Sequence, residues 1–352
     1  MNKPILAFYM GYSHPFNGKN YHQQNVFGSE INAIKLAESL TDIYDIYIFT
    51  NIPDSQEITH NNVTYLHLFK INNFISFDIL IIVRYINYFL YFNHKSTKTF
   101  LWVCDTIINP YYEGLRITNN AANLIYNTQD KINKYIFLSD WHISNSMQLI
   151  SFNNSQYTTI YNPLDLSYYK PNIPIISNRF IYMSDPSRGL SILLDCLIYI
   201  QQSIPTISLT VFRSHEFTNT IHEKIKLLNN TVIYGKESQQ VIADECLQAE
   251  YFFYPTNFHE TFCNCAAEAQ LYHTVCIYNP IGGLTSTIND RGLAIPYNLE
   301  QPDYTQKTSE LVMELMNNPL QKKIYLEKGY EWAKNNLNID SIKNKWIKLF
   351  EQ

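Results

Sequence analysis

Short apolar runs alternate with helix-patterned stretches along the whole chain, and this alternation most restricts what it can fold into. Runs that read as buried strands lie at Pro4–Met10, Asp45–Thr50, Val63–Leu68, Asp78–Tyr85, Thr99–Asp105, Tyr135–Ser139 and Thr158–Tyr161. A second set lies at Phe180–Met183, Ser208–Phe212, Thr231–Tyr234, Tyr251–Tyr254, Thr274–Tyr278 and Leu293–Pro296. Between most of them apolar residues return at helical spacing, as do Ile31, Ile34, Ala37 and Leu40. Strand and helix in turn imply crossover connections, so an α/β protein with parallel sheets is expected. At 352 residues and 46% hydrophobic content the chain can bury two cores. Pro163, Pro171 and Pro174 crowd the join between the two sets, and the linker is placed there.

Chemistry concentrates in residues 255–292, PTNFHETFCNCAAEAQLYHTVCIYNPIGGLTSTINDRG. YFFYP is a buried-strand pattern stopped by Pro255, and the small residues from Cys263 to Ala269 fit a helix that approaches something closely. The start of such a helix offers free N–H groups and a positive dipole end to an anion. Glu260 falls in the loop before that start and Glu268 inside the helix. Carboxylates flanking an anion-binding helix start suit a ligand with phosphates in its middle and hydroxyls at both ends, which is the layout of a nucleotide-sugar. Taken alone, two glutamates at this spacing more often share a solvated helix face.

The segment resembles the nucleotide-sugar motif of retaining GT-B glycosyltransferases of the family-4 (group 1) type, through Pro255, Glu260, Phe262, Glu268, the strand Thr274–Ile277 and the loop Gly282–Leu284. GSEINAIKLAESL (28–40) resembles the family's glycine loop and first helix, and YNPLDLSYYKP (161–171) its interdomain strand end. RFIYMSDPSRGLSILLDCL (179–197) resembles the strand, basic residue and helix that open its second domain. The chain has only 10 glycines, well under the usual share of about 7%. Gly28, Gly189, Gly235, Gly282, Gly283 and Gly292 fall where the family pattern needs them, so each is expected to meet a backbone requirement.

The resemblance implies two Rossmann-like domains facing each other across a cleft. Residues 1–165 with the C-terminal helix 338–352 form the acceptor side, and 166–337 the nucleotide-sugar side. Ser341–Phe350, with Ile342, Trp346, Ile347 and Phe350 apolar, reads as the amphipathic helix that returns to the first domain. The implied reaction moves a sugar from a nucleoside diphosphate, such as a UDP- or GDP-sugar, to an acceptor hydroxyl with retention of configuration. The acceptor would be a glycan, a protein or a small molecule. Arg188, Glu260 and Asp105 are the catalytic candidates. Gly28, Arg188, Lys236, Glu260, Thr261, Phe262, Cys263, Asn264 and Glu268 are expected around the donor, and Cys104, His142 and His14 near sugar or acceptor. A sugar-nucleotide epimerase of the same architecture and a binding module without turnover are the alternative readings.

The chain also departs from the family pattern. Phe27-Gly28 stands where two glycines are usual, Cys104 where a histidine often contacts the donor sugar, and Ser184 where a first cation is usual. That leaves Arg188 as the chief counter-charge for the diphosphate, with Lys236 or Arg213 as possible compensation.

Other classes are set aside on composition and spacing. A net charge of −5 argues against nucleic acid as a partner. His259-Glu260 begins like a zinc-protease HExxH, but Cys263 replaces the second histidine; His259, Cys263 and Cys265 lack a fourth ligand at a recognisable spacing. There is no Asp-x-Asp to hold a cation on a diphosphate, so neither a metal nor a separate cofactor is expected. Phe74–Phe92 is apolar enough to suggest a membrane span, yet Asp78 and Arg84 interrupt it at about 2.5–3.5 kcal/mol each. Acidic residues outnumber basic ones over 1–165, which does not suit an anionic membrane surface. The apolar run of MNKPILAFYMGYSHP is too short for a signal peptide, and the six cysteines show no paired spacing, so a cytoplasmic setting with reduced thiols is expected.

Overall fold

Two stacks of parallel strands, each wrapped by helices, account for nearly all the apolar runs. The structure, a computed structural model, describes every residue except 1–2, 12, 20–25, 107, 109–110, 113–114, 117–120, 149 and 152–153. It divides into a first unit, Met1–Pro163 with Ile339–Gln352, and a second, Leu164–Asn338.

The strands of the first unit are β1 (Ile5–Tyr9), β2 (Asp45–Thr50), β3 (Glu57–His60), β4 (Val63–His67), β5 (Ser76–Val83), β6 (Lys95–Trp102), the short ribbon β7 (Tyr111–Tyr112) and β8 (Leu115–Arg116), β9 (Lys134–Phe137) and β10 (Tyr157–Thr159). Eight of them form one sheet in the order β10-β9-β6-β5-β1-β2-β4-β3. Its helices are α1 (Gly28–Ser39), α2 (Tyr88–Tyr91), α3 (Ala121–Thr128) and α4 (Asp140–Met147). All pairings in this sheet are parallel except β3 with β4. EITH carries too little apolar character to announce β3; its hairpin is made by Asn61 and Asn62, both at positive φ (47° and 61°), the geometry of a two-residue turn. The stretch 74–92 becomes β5 and the single turn α2, and among the described residues no helix is long and apolar enough to cross a membrane.

The second unit carries β11 (Ile176–Tyr182), β12 (Ser208–Phe212), β13 (Thr231–Tyr234), β14 (Ala249–Tyr254), β15 (Val275–Tyr278) and β16 (Gly292–Ala294), all parallel, in the order β13-β12-β11-β14-β15-β16. Its helices are α5 (Leu190–Gln201), α6 (Asn219–Lys226), α7 (Gln239–Gln248), α8 (Asn264–Leu271), α9 (Leu284–Thr287), α10 (Tyr304–Met316) and α11 (Pro319–Leu337). The last helix, α12 (Ile339–Glu351), belongs to the first unit. There Trp346 packs 5.2 Å from Trp102, Phe350 meets Tyr44 and Phe100, and Lys343 pairs with Asp42.

Each sheet has one place where strand order reverses, between β1 and β5 in the first and between β11 and β14 in the second. Ligands of open parallel sheets bind beyond the carboxyl ends of the strands at such a reversal.

The second sheet is also braced by a charge. Arg179 on β11 is buried and bonds Glu245 on α7 and Thr210 on β12. Removing one partner of a buried pair strands the other, at a cost of about 3–5 kcal/mol. Glu245→Ala is therefore expected to lower the urea midpoint sharply and Glu245→Gln less; equal midpoints for Glu245→Ala and the parent would contradict this.

Candidate active site

The loop after β11 is laid out by Asp185. Its carboxylate accepts from the Ser187 amide and hydroxyl (2.9 and 2.6 Å), the Ser214 hydroxyl (3.1 Å) and His215 Nδ1 (2.7 Å). Burial works against this charge, but the hydrogen bonds from Ser187, His215 and Ser214 outweigh it and hold the acid down at about 2. The turn Pro186–Arg188 then ends at Gly189 with φ +120°, where a Cβ would overlap the carbonyl of Pro255. Only glycine lets this loop lie on the one after β14.

That contact delivers Arg188 to Glu260. Arg188 Nη1 lies 3.0 Å from Glu260 Oε1, and the guanidinium carbon sits 3.8 Å from the centre of the Phe258 ring. Burial opposes the charge on Arg188, but Glu260 more than offsets it, so the guanidinium stays protonated. The Tyr254 hydroxyl donates to the same Oε1 at 2.8 Å and lies 3.0 Å from Ser184 Oγ. Burial pushes the Tyr254 hydroxyl far up, so it remains a donor. Ser184, where the family pattern has a cation, is thus linked through Tyr254 to the glutamate.

Beyond Glu260 the chain turns into α8 through Cys263, whose backbone is left-handed (φ 74°, ψ 84°), a strained state for a residue with a Cβ. The amides of the first helical turn have no partner within the helix. Glu268 stands half-buried one turn in, and its charge is felt at Cys265, Cys246 and Tyr272. Cys265 Sγ reaches the Met183 carbonyl at 3.0 Å, tying α8 to the β11 loop.

The Glu260 loop is backed by glycines. A Cβ on Gly282 (φ +56°) would stand 2.9 Å from the Glu260 carbonyl oxygen, one on Gly283 would overlap Thr261, and the Gly283 amide donates to the Glu260 carbonyl at 2.6 Å. Phe262 is fully buried, with its carbonyl bonded by Thr287 Oγ1. Arg291 braces the other side through Gln270 Oε1 and the carbonyls of Ser286 and Thr287, with Trp332 stacked on its guanidinium. Sequence reading missed Tyr254, Phe258 and Arg291. It also expected a backbone need at Gly235, but nothing lies within 4 Å of a Cβ there. Lys236 is exposed on the turn after β13, and Arg213 pairs with Glu216.

In the first unit the candidates gather beyond β1, β5 and β6. Gly28 opens α1, where buried Glu30 accepts from the Ser29 hydroxyl (2.9 Å) and the Phe27 amide (3.3 Å), and exposed His14 lies 5.9 Å from the Phe27 ring. Arg84, at the end of β5, holds φ +67° and brings Nε within 3.3 Å of Asp105 Oδ2, an ion contact without hydrogen-bond alignment. Cys104 donates to the Trp102 carbonyl at 3.6 Å, and burial pushes its thiol up to about 12. His142 corrects the expectation of a ligand contact. Its ring is fully buried, Nδ1 accepts from the Leu138 amide, and Nε2 donates to the Asp105 carbonyl at 2.6 Å. Both nitrogens are spent on the main chain. Among the described residues no group of three or more His, Cys, Asp or Glu is placed to hold a metal ion.

The reversal of the second sheet is thus lined by a glycine-seated arginine, a glutamate and a helix start, and solved structures that resemble this chain include glycosyltransferases. No protein-family model matches the chain, and no curated protein matches it in sequence. Sucrose-phosphate synthase from Thermosynechococcus elongatus is similar to it with a TM-score of 0.74 and 15% identity, over 99% of each chain. A glycosyltransferase from Rickettsia africae gives 0.74 and 14%, over 100% of this chain and 98% of that one. Anabaena HepE, solved in complex with UDP-glucose, gives 0.72 and 12%, over 99% of each. The fold is the GT-B fold of these enzymes.

His142 provides a pH test of this geometry. Burial lowers its pKa to about 4, against about 6.5 in an unfolded chain. Between those values the unfolded state binds a proton that the folded state refuses, so stability falls as pH drops from 6.5 towards 4, by at most about 1.4 kcal/mol per unit. Urea midpoints at pH 7, 6 and 5 should fall less steeply in His142→Gln than in the parent. Parallel profiles would mean that His142 is not buried in its neutral form.

Proposed function

We propose that the chain is a retaining, metal-independent glycosyltransferase that moves a sugar from a nucleoside diphosphate to an acceptor hydroxyl. The observation that carries this reading is the meeting of Arg188 and Glu260 beside the start of α8, at the strand reversal of the second sheet. The full-length likeness to an enzyme solved with UDP-glucose supports a nucleotide-sugar as the ligand of that place.

In this reading Glu268 takes the ribose hydroxyls, and Arg188 takes the diphosphate, with Lys236 as a further source of charge. Glu260 and the main chain from Thr261 to Asn264 take the sugar and the distal phosphate. Gly28, opening α1, is assigned to the donor, and Asp105, His14 and Cys104 to the sugar and acceptor. Before the donor arrives, Glu260 and Phe258 hold Arg188 in one orientation. As the glycosidic bond breaks, negative charge grows on the departing diphosphate, and a guanidinium already in place stabilises it without reorganising. The leaving phosphate then takes the proton of the attacking hydroxyl on the same face of the sugar. We place the chain in the cytoplasm, where its six cysteines would stay reduced.

A panel of UDP-, GDP-, ADP- and dTDP-sugars read by thermal shift identifies the donor, since a ligand at a hundred times its dissociation constant stabilises by about 2.7 kcal/mol. Glu268→Ala should weaken binding of the free nucleotide about ten- to a hundred-fold, the equivalent of a charge-assisted hydrogen bond at roughly 1.5–3 kcal/mol. Unchanged affinity by calorimetry removes Glu268 from the site.

Arg188→Ala should reduce turnover at saturating donor about a hundred- to a thousand-fold, and Arg188→Lys should restore only part of it, because an ammonium lacks the two-pronged geometry. Near-normal turnover in Arg188→Ala would sink the assignment.

A further inference from the structure

Arg84 is a charged residue to which the proposed reaction gives no task. It stands beyond β5, one of the two strands at the reversal of the first sheet, in a left-handed backbone (φ +67°) that a residue of its size rarely adopts. Its guanidinium has five N–H donors. The Tyr85 hydroxyl is within its reach, while Nε is buried beside Asp105 with no aligned hydrogen bond. The main chain that presents Asp105 is held from behind by α4: His142 Nε2 bonds the Asp105 carbonyl, and Asn145 Nδ2 bonds the Thr106 carbonyl at 2.6 Å. A carboxylate on a fixed main chain thus lies beside a guanidinium with donors to spare.

A carboxylate beside a guanidinium matches neighbouring hydroxyls on a sugar ring, one donating to the acid while the next accepts from the base. The surrounding charge restricts the ligand further. The charge of Arg84 is already met by the Asp105 carboxylate, 3.3 Å from Nε, so a phosphate or carboxylate would have to compete with that carboxylate for the guanidinium. We infer that Arg84 and Asp105 form the subsite that recognises the acceptor, and that the acceptor is an uncharged carbohydrate or polyol held through adjacent hydroxyls. This rests on the glycosyltransferase reading of the second unit.

Saturation-transfer NMR on the wild-type protein compares neutral methyl glycosides with their 6-phosphates and uronates and needs no donor. Neutral glycosides should bind at least tenfold more tightly. In the transfer assay with the identified donor, Arg84→Met should raise the KM for the neutral acceptor at least tenfold, more than it raises the donor KM, and Arg84→Lys should recover part. Preference for the phosphate or the uronate overturns the inference, as does a wild-type acceptor KM in a folded Arg84→Met. Should that variant fail to fold, the wild-type preference alone decides. Binding of neutral glycosides without any sugar-nucleotide binding by calorimetry would instead sink the glycosyltransferase reading and leave the subsite standing.

Discussion

At Gly189 two loops touch through main chain alone, and the geometry of the second unit depends on it. A side chain there would overlap the Pro255 carbonyl and force the loop after β11 away from the loop after β14. Arg188 is the next residue back, so its distance from Glu260 follows from that separation. Gly282 and Gly283 impose the same condition from the other side, where the Glu260 and Thr261 backbone lies too close for a Cβ. An ion pair on long side chains is ordinarily a weak organiser, because the chains lose rotamer freedom in making it. Here Phe258 and Tyr254 restrict the two partners, and the close-packed backbone restricts the loops that carry them.

How much of this could be read beforehand differs from residue to residue. The apolar runs of β1, β2 and β14 are nearly continuous because helices cover parallel sheets on both faces, and such runs are plain in a sequence. β3 was not, because an edge strand half in solvent can be built from Glu, Thr and His. Arg188, Glu260 and the glycines could be found because their spacing reflects backbone demands. Tyr254 and Phe258 could not: in a chain with 28 tyrosines and 20 phenylalanines, one more aromatic at a strand end says nothing about what it touches. His142 was misjudged for a related reason. Whether a histidine faces a ligand or two main-chain groups depends on tertiary burial, which local pattern does not carry.

Strain gathers in the same places. Cys263 and Arg84 both hold positive φ at the carboxyl end of a sheet, one entering α8 and the other beside Asp105. Neither is a residue that relaxes into that conformation in a free peptide, so the surrounding contacts must impose it. Each unit thus commits packing energy to one residue near its strand reversal, where direction of approach counts more than stability.

The course of the chain through α12 also governs how the molecule is assembled. Trp346 and Phe350 complete the aromatic packing around Trp102, Phe100 and Tyr44, yet they are translated after the whole of the second unit. During synthesis the earlier-made unit must therefore wait with that apolar surface uncovered while the later-made unit can already close on itself. The order of birth and the order of completion are reversed: the first unit closes only once residues that follow the second unit have been made.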